Sequence, residues 1–232
     1  MSLRDVVSTV AEASTLLQLA KEVKPRPAST RDCFAARMER TTARFPNHTA
    51  VIFEGESLTW SELNALANRY AAAFRVQGLV RGDAVSLIME NRIEFLATII
   101  ALNKLGVIAA LINTNLTGKP LIHCINITNS RLCIFGEERL AAVAEARTEP
   151  DLQGIENWLF ISDDNTEPCP DWALDFGEEA ASKPTDNPPQ TGQNTLADTA
   201  LYIYTSGTTG LPKASVISNR RFLLAAGLSY KG

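Results

Sequence analysis

The 232-residue sequence predicts an α/β protein built on a mostly parallel sheet with helices on both faces, and three observations predict it. Strand-like and helical periods alternate along most of the chain. The strand-like runs are short and continuously apolar, lacking the polar alternation of a half-solvated strand. At this length, 45% hydrophobic residues can furnish a sizeable core, and such a chain hides roughly 70% of its unfolded surface or more.

In chain order, the first stretch, MSLRDVVSTVAEASTLLQLAKEVKP, has the period of a short amphipathic helix. Asp5 and Glu12 interrupt any apolar centre, so it is not a secretory signal, and residues 1–30 are expected to form an N-terminal helical extension. Helical periods follow at 31–44, 61–77, 93–105, 121–129 and 137–146, and strand-like runs at 50–53, 84–89, 107–112, 132–135 and 158–161. Leu58-Thr59-Trp60 followed by Ser61-Glu62-Leu63 reads as a strand end running into a helix, and Gly78 closes that helix before Val80-Arg81-Gly82-Asp83 turns into the next strand. The run FLATIIALNKLGVIAALI, residues 95–112, is long enough to raise a membrane span. Asn103, Lys104 and Gly106 break it at its middle, where a lysine alone costs about 2.5–3.5 kcal/mol. A helix, a Gly106 stop and a buried strand are the better expectation.

These elements make a first α/β subdomain over 31–161. From 162 to 198, Pro, Gly, Asn and acidic residues dominate, which predicts a long surface excursion with one short ordered piece around 172–176. Residues 199–232 then start a second subdomain.

Composition excludes several functions. The net charge of −4 gives no basic footprint for nucleic acid, and the acidic excess from Asp163 to Glu179 reads as a solvated loop face. Cys33, Cys124, Cys133 and Cys169 form no CxxC pair, and His48 and His123 stand far apart, so no zinc set is expected. Reduced thiols in a cytoplasmic protein are the reading, and on it the sequons at Asn47, Asn115 and Asn126 carry no sugar.

The chemistry concentrates in LYIYTSGTTGLPKASVIS, residues 201–218. An apolar run through Tyr202, Ile203 and Tyr204 meets Thr205-Ser206-Gly207-Thr208-Thr209-Gly210, then Leu211, Pro212 and Lys213, then a second strand-like run at 214–217. Two glycines permit positive φ, so successive N–H groups can face one concavity and cradle an anion. Lys213 adds a compact mobile cation suited to a phosphate oxygen. This is not the P-loop of kinases and ATPases, which needs Gly-Lys-Ser/Thr opening a helix. Here Pro212 precedes the lysine, Ala214 follows it, and the next helix comes later, capped by Ser218 or Asn219. A plain hydroxyl-rich hairpin is the dull alternative, but ordinary hairpins use two to five residues and need no Pro-Lys exit.

The run from Tyr204 to Lys213 resembles the phosphate-loop signature of the adenylate-forming enzymes: acyl-CoA synthetases, luciferases and peptide-synthetase adenylation domains. Leu58-Thr59-Trp60-Ser61-Glu62-Leu63 is similar to that superfamily's first core motif, and LNKLGVIAALINTN, residues 102–115, to its second. Ile112-Asn113-Thr114-Asn115, Gly118-Lys119-Pro120-Leu121 with His123, and Ala214 look most like the very-long-chain acyl-CoA synthetase and fatty-acid transport protein branch. Trp60 and Asn219 depart from the commoner Tyr and His.

The resemblance implies the N-terminal part of an acetyl-CoA synthetase-like fold, incomplete in this chain. It implies a two-step reaction in which a fatty carboxylate attacks ATP to give acyl-adenylate and pyrophosphate, and coenzyme A then displaces AMP. The nucleotide-binding set carried over is residues 202–213, with Thr205, Ser206, Thr208 and Thr209 on the β- and γ-phosphates, Lys213 neutralising them and Mg²⁺ bridging. The catalytic lysine, the metal-binding Glu and most of the acyl pocket are expected downstream of Gly232. The chain is therefore expected to bind ATP weakly and not to turn over. A fatty-acyl-AMP ligase, another carboxylate–CoA ligase, and a non-catalytic fatty-acid uptake module docked to the inner face of a membrane through residues 95–112 or the N-terminal stretch stay open. So does a homodimer.

Overall fold

The computed structural model describes residues 26–163, 166–205 and 210–229. The expected N-terminal helix lies, up to residue 25, outside the described residues.

Helix α1, Phe34–Arg44, starts three residues later than its period suggests, because Cys33 is extended and its Sγ accepts from the Ala36 N–H as an N-cap. Strands β1, Thr49–Phe53, and β2, Glu56–Thr59, form an antiparallel hairpin of their own and not part of the parallel sheet. The cause is local: Glu54 and Gly55 both take positive φ, the geometry of a tight two-residue turn. Thr59 and Glu62 then make a capping box that opens α2, Trp60–Val76.

A seven-stranded sheet follows, in the order β7-β6-β5-β3-β4-β8-β9. Its members are β3 (Ala84–Ile88), β4 (Ile108–Leu111), β5 (Leu132–Gly136), β6 (Asn157–Ile161), β7 (Leu174–Asp175), β8 (Thr199–Thr205) and β9 (Lys213–Ser218). All neighbours are parallel except β8 and β9. The connecting helices are α3 (Ile93–Leu105), α4 (Gly118–Asn126), α5 (Leu140–Ala146), α6 (Phe176–Ala181) and, after β9, α7 (Asn219–Ser229). Helix α4 starts a turn earlier than expected, and Glu137–Arg139 form a 3₁₀ turn before α5.

The pleat divides the core in two. Leu132 and Ile134 of β5 pack on the side of α1, α2 and α3, while Cys133 and Phe135 pack on the side of α4 and α5. Residues 95–112, weighed above as a membrane segment, lie within this core: Ala97, Leu102, Val107 and Ala110 are fully buried between helix and sheet. Among the described residues no helix is long and apolar enough to cross a membrane.

The polar stretch 162–198 is more ordered than its composition predicts. Phe176 is fully buried against Tyr70 and Phe74 of α2, with ring centroids 5.1 and 4.5 Å away. Asn187 accepts from Asn64 and Asn68, and Asn194, 1% exposed, donates to the carbonyls of Asn103 and Lys104 at the end of α3. The start of the stretch is gathered by Glu137, which accepts from the N–H groups of Asp163, Thr166 and Glu167 and the hydroxyls of Ser162 and Thr166. These bonds, led by the Asp163 N–H, hold its carboxyl well below the usual range.

Gly106 ends α3 at φ 72°, with its N–H on the Asn103 carbonyl and the Val107 N–H on that of Leu102. A Cβ there would stand 2.6 Å from Asn194 Oδ1 and 2.9 Å from Arg81 Cγ. The left-handed backbone alone costs an alanine about 1–2 kcal/mol, and the two bonds that hold Asn194 keep it from retreating. Gly106→Ala is expected to cost at least about 2 kcal/mol and lower Tm by about 4 °C or more, read by thermal unfolding.

Candidate functional site

In an open parallel sheet, ligands bind beyond the carboxyl ends of the strands, where neighbouring strands send their connections to opposite faces. Here β3 meets that condition on both sides, against β5 and against β4, and the groove described next lies on the β4 side. The exit from β3 leads to α3 on one face and the exit from β4 leads to α4 on the other. A groove of about 550 Å³ opens there. Met89, Glu90 and Asn91 beyond β3 form one wall, and Asn113 and Thr114 beyond β4 form another. Ile203 and Tyr204 of β8 complete it.

Sequence reasoning singled out the third wall and missed Glu90 and Asn91. Their signal was available, a polar pair directly after the buried strand β3. The groove mixes an apolar floor with a few polar groups at its rim, the usual make-up of a small-molecule site.

Strand β8 also carries the candidate loop. It pairs with β4 on one side and β9 on the other, the last pair in register being Thr205 opposite Lys213. The loop therefore leaves and re-enters the sheet at its carboxyl edge, beside the groove. Tyr202, Ile203, Tyr204 and Thr205 lie on β8, Lys213 opens β9, and Gly210 takes φ 89°, the left-handed region that favours glycine. Ser206, Gly207, Thr208 and Thr209 lie outside the described residues. Leu211 and Lys213 are exposed, and Pro212 is half-buried, its carbonyl 3.0 Å from His123 Nε2. Among the described residues Lys213 forms no ion pair.

Tyr204 is turned away from solvent. Its hydroxyl donates to the Cys124 carbonyl at 2.5 Å, and burial pushes its pKa up. Burial likewise raises the Cys124 thiol to about 11 and drives Cys133 higher, so neither is a thiolate nucleophile near neutrality. Ser218 caps α7, its Oγ accepting weakly from the Arg221 N–H at 3.4 Å. Asn219, which stands where the resemblance led one to look for His, is 1% exposed and bonded to Asn103 and the Thr195 carbonyl. Its side chain is spent on tying α7 to α3.

Among the described residues no group of three His, Cys, Asp or Glu side chains could hold an ion.

Comparison with known proteins agrees with this geometry. The profile of AMP-binding enzymes matches residues 38–231. Long-chain fatty acid transport protein 1 of Bos taurus is 34% identical over 94% of this chain and 33% of its own length. The medium/long-chain-fatty-acid–CoA ligase FadD6 of Mycobacterium tuberculosis is 31% identical over 79% of this chain and 28% of its own. The inhibitor-bound N-terminal domain of FACL13 from Mycobacterium tuberculosis superposes with a TM-score of 0.70 at 26% identity, covering 81% of this chain and 44% of that one. The chain thus spans about a third of the length of the curated relatives it matches. The match over residues 38–231, which covers most of the chain, places the protein in the AMP-binding enzyme family.

Proposed function

We propose that the chain is the N-terminal, phosphate-loop-bearing part of an ATP-dependent, AMP-forming ligase that joins long- or very-long-chain fatty acids to coenzyme A. The observation that carries the reading is the position of the hydroxyl- and glycine-rich loop at the carboxyl edge of β8, opening beside the groove between β3 and β4. The fatty-acid transport proteins and fatty-acid–CoA ligases among its relatives supply the substrate class.

On this reading the loop, residues 205–210, closes on the β- and γ-phosphates through backbone N–H groups and hydroxyls, and Lys213 neutralises charge that builds on the departing pyrophosphate. Tyr202, Ile203 and Tyr204 hold the loop's entry, and Leu211 and Pro212 its exit. Mg²⁺ would supply positive charge to the phosphates beside Lys213, held by the carboxylate expected downstream of Gly232. The groove offers the adenylate or its acyl chain an apolar floor. On this reading any second subdomain that begins at 199 shares the first one's sheet, since β8 pairs with β4 and β9 with β8.

The test is AMP release by the full-length protein. Release is expected only when ATP, a long-chain fatty acid and coenzyme A are all present. Adenylate accumulation without a thioester product would turn the assignment to a fatty-acyl-AMP ligase, and no acyl-dependent AMP release at all would refute it. A non-catalytic membrane-docking role has lost one of its two carriers, since residues 95–112 are core.

A further inference from the structure

We infer that α4 staples the mouth of the phosphate loop, with His123 as a positioning residue for Pro212 and Lys213; the inference rests on the ligase reading above. Strand β9 is the edge of the sheet, with β8 as its one neighbour among the described residues. Seven residues separate Thr205 from Lys213, so within the sheet the spacing of the two stems rests on the β8–β9 pairing.

Helix α4 adds a hold on each stem, from consecutive residues. The Tyr204 hydroxyl donates to the Cys124 carbonyl on the β8 side, and His123 meets the Pro212 carbonyl on the β9 side at 3.0 Å. A carbonyl can only accept, so His123 Nε2 is the donor.

The helix is a firm anchor. Leu121, Cys124 and Ile125 are fully buried in the core cluster that contains Cys133 and Phe135 of β5. The choice of Pro212 also matters physically. Its ring fixes φ and leaves ψ soft, and ψ turns the plane of the Pro212–Lys213 peptide. Holding the carbonyl of that plane fixes the direction in which Lys213 leaves the loop. A histidine 90 positions upstream thereby aims the cation without touching the nucleotide.

The experiment compares His123→Met, His123→Gln and Lys213→Ala in the full-length protein, reading ATP Kd by titration calorimetry and the KM values for ATP and fatty acid in acyl-dependent pyrophosphate exchange. Methionine keeps the bulk and removes the donor, whereas the glutamine amide reaches the same place with an N–H. His123→Met is expected to weaken ATP by about three- to tenfold, the worth of one neutral hydrogen bond, with the fatty-acid KM unchanged. His123→Gln should stay within about twofold of the native protein on the same scale.

Equal losses in Met and Gln, or an unmoved ATP Kd in Met while Lys213→Ala abolishes binding, would overturn the staple and leave the ligase reading standing. Unmoved ATP binding in all three variants would remove the loop reading itself, and the staple with it. Should His123→Met fail to fold, Tyr204→Phe deletes the other hold by one oxygen, and normal ATP affinity there overturns the proposal.

Discussion

Replacing Lys213 by alanine in the full-length protein is expected to cut acyl-dependent ATP–pyrophosphate exchange by about 10²–10³, the usual cost of removing one preorganised group aimed at developing charge. Lys213 stands at the first position of β9, exposed and without an ion pair among the described residues, directly across from Thr205 where the loop leaves the sheet. An ammonium about 4 Å from a phosphate oxygen is worth roughly 4 kcal/mol at an effective dielectric of 20, before desolvation. That sum is consistent with a loss of two to three decades. Because the side chain is exposed and unpaired, Tm should be unchanged, which separates a catalytic effect from unfolding. Lys213→Arg keeps the charge on a different shape and should recover part of the rate. Exchange that is the same with alanine as with lysine would sink the assigned role.

How much of this was open to reading from the chain depends on whether the signal is local. The parallel strands announce themselves as apolar runs such as Leu132–Gly136, and Gly106 announces the end of α3, since both follow from neighbours in sequence. The phosphate loop is legible for the same reason: glycines, hydroxyls and one lysine lie within nine residues of each other. What was illegible is non-local. Lys104 reads as a flaw in an apolar run, and only the fold shows its acceptors arriving from residues 39, 64 and 187. The stretch 162–198 looks solvated because its composition is polar, yet Asn187 and Asn194 supply polar partners to the helix layer beneath them. Composition cannot distinguish an asparagine facing water from one facing a buried ammonium. Hairpin β1–β2 was half visible: a strand was evident at 50–53 and a strand end at 58–60, but their pairing was not, because the turn between them falls at Glu54-Gly55, where a glutamate adopts positive φ against its preference. His123 stood out as a branch resemblance, while its acceptor lies 89 residues away.

The buried Lys104 gives the second large effect. Its side chain is fully buried, and its Nζ donates to Glu39 at 2.5 Å, Asn64 at 2.9 Å and Asn187 at 3.2 Å, while Glu39 is 19% exposed. Desolvation lowers the lysine pKa, and Glu39 opposes that shift. Removing one partner of such a pair leaves a charge buried without compensation, at a cost of about 3–5 kcal/mol. Glu39→Gln is therefore expected to lower Tm by roughly 6–20 °C for a chain of this size. Lys104→Met, which removes the buried charge and keeps the volume, should cost far less. The pH dependence has a definite sign. A lysine whose pKa is lower folded than unfolded binds fewer protons in the native state, so stability rises with pH between its folded value and its ordinary one near 10.5. Without Glu39 the folded value falls further, so the Glu39→Gln variant should regain stability over a wider alkaline range than the native protein. Lys104→Met should lose that dependence. Chemical denaturation at a series of pH values reads all three. A Glu39→Gln protein as stable as the native one, with the same pH profile, would mean that the lysine is already neutral and that its three oxygen partners hold an amine and not a cation.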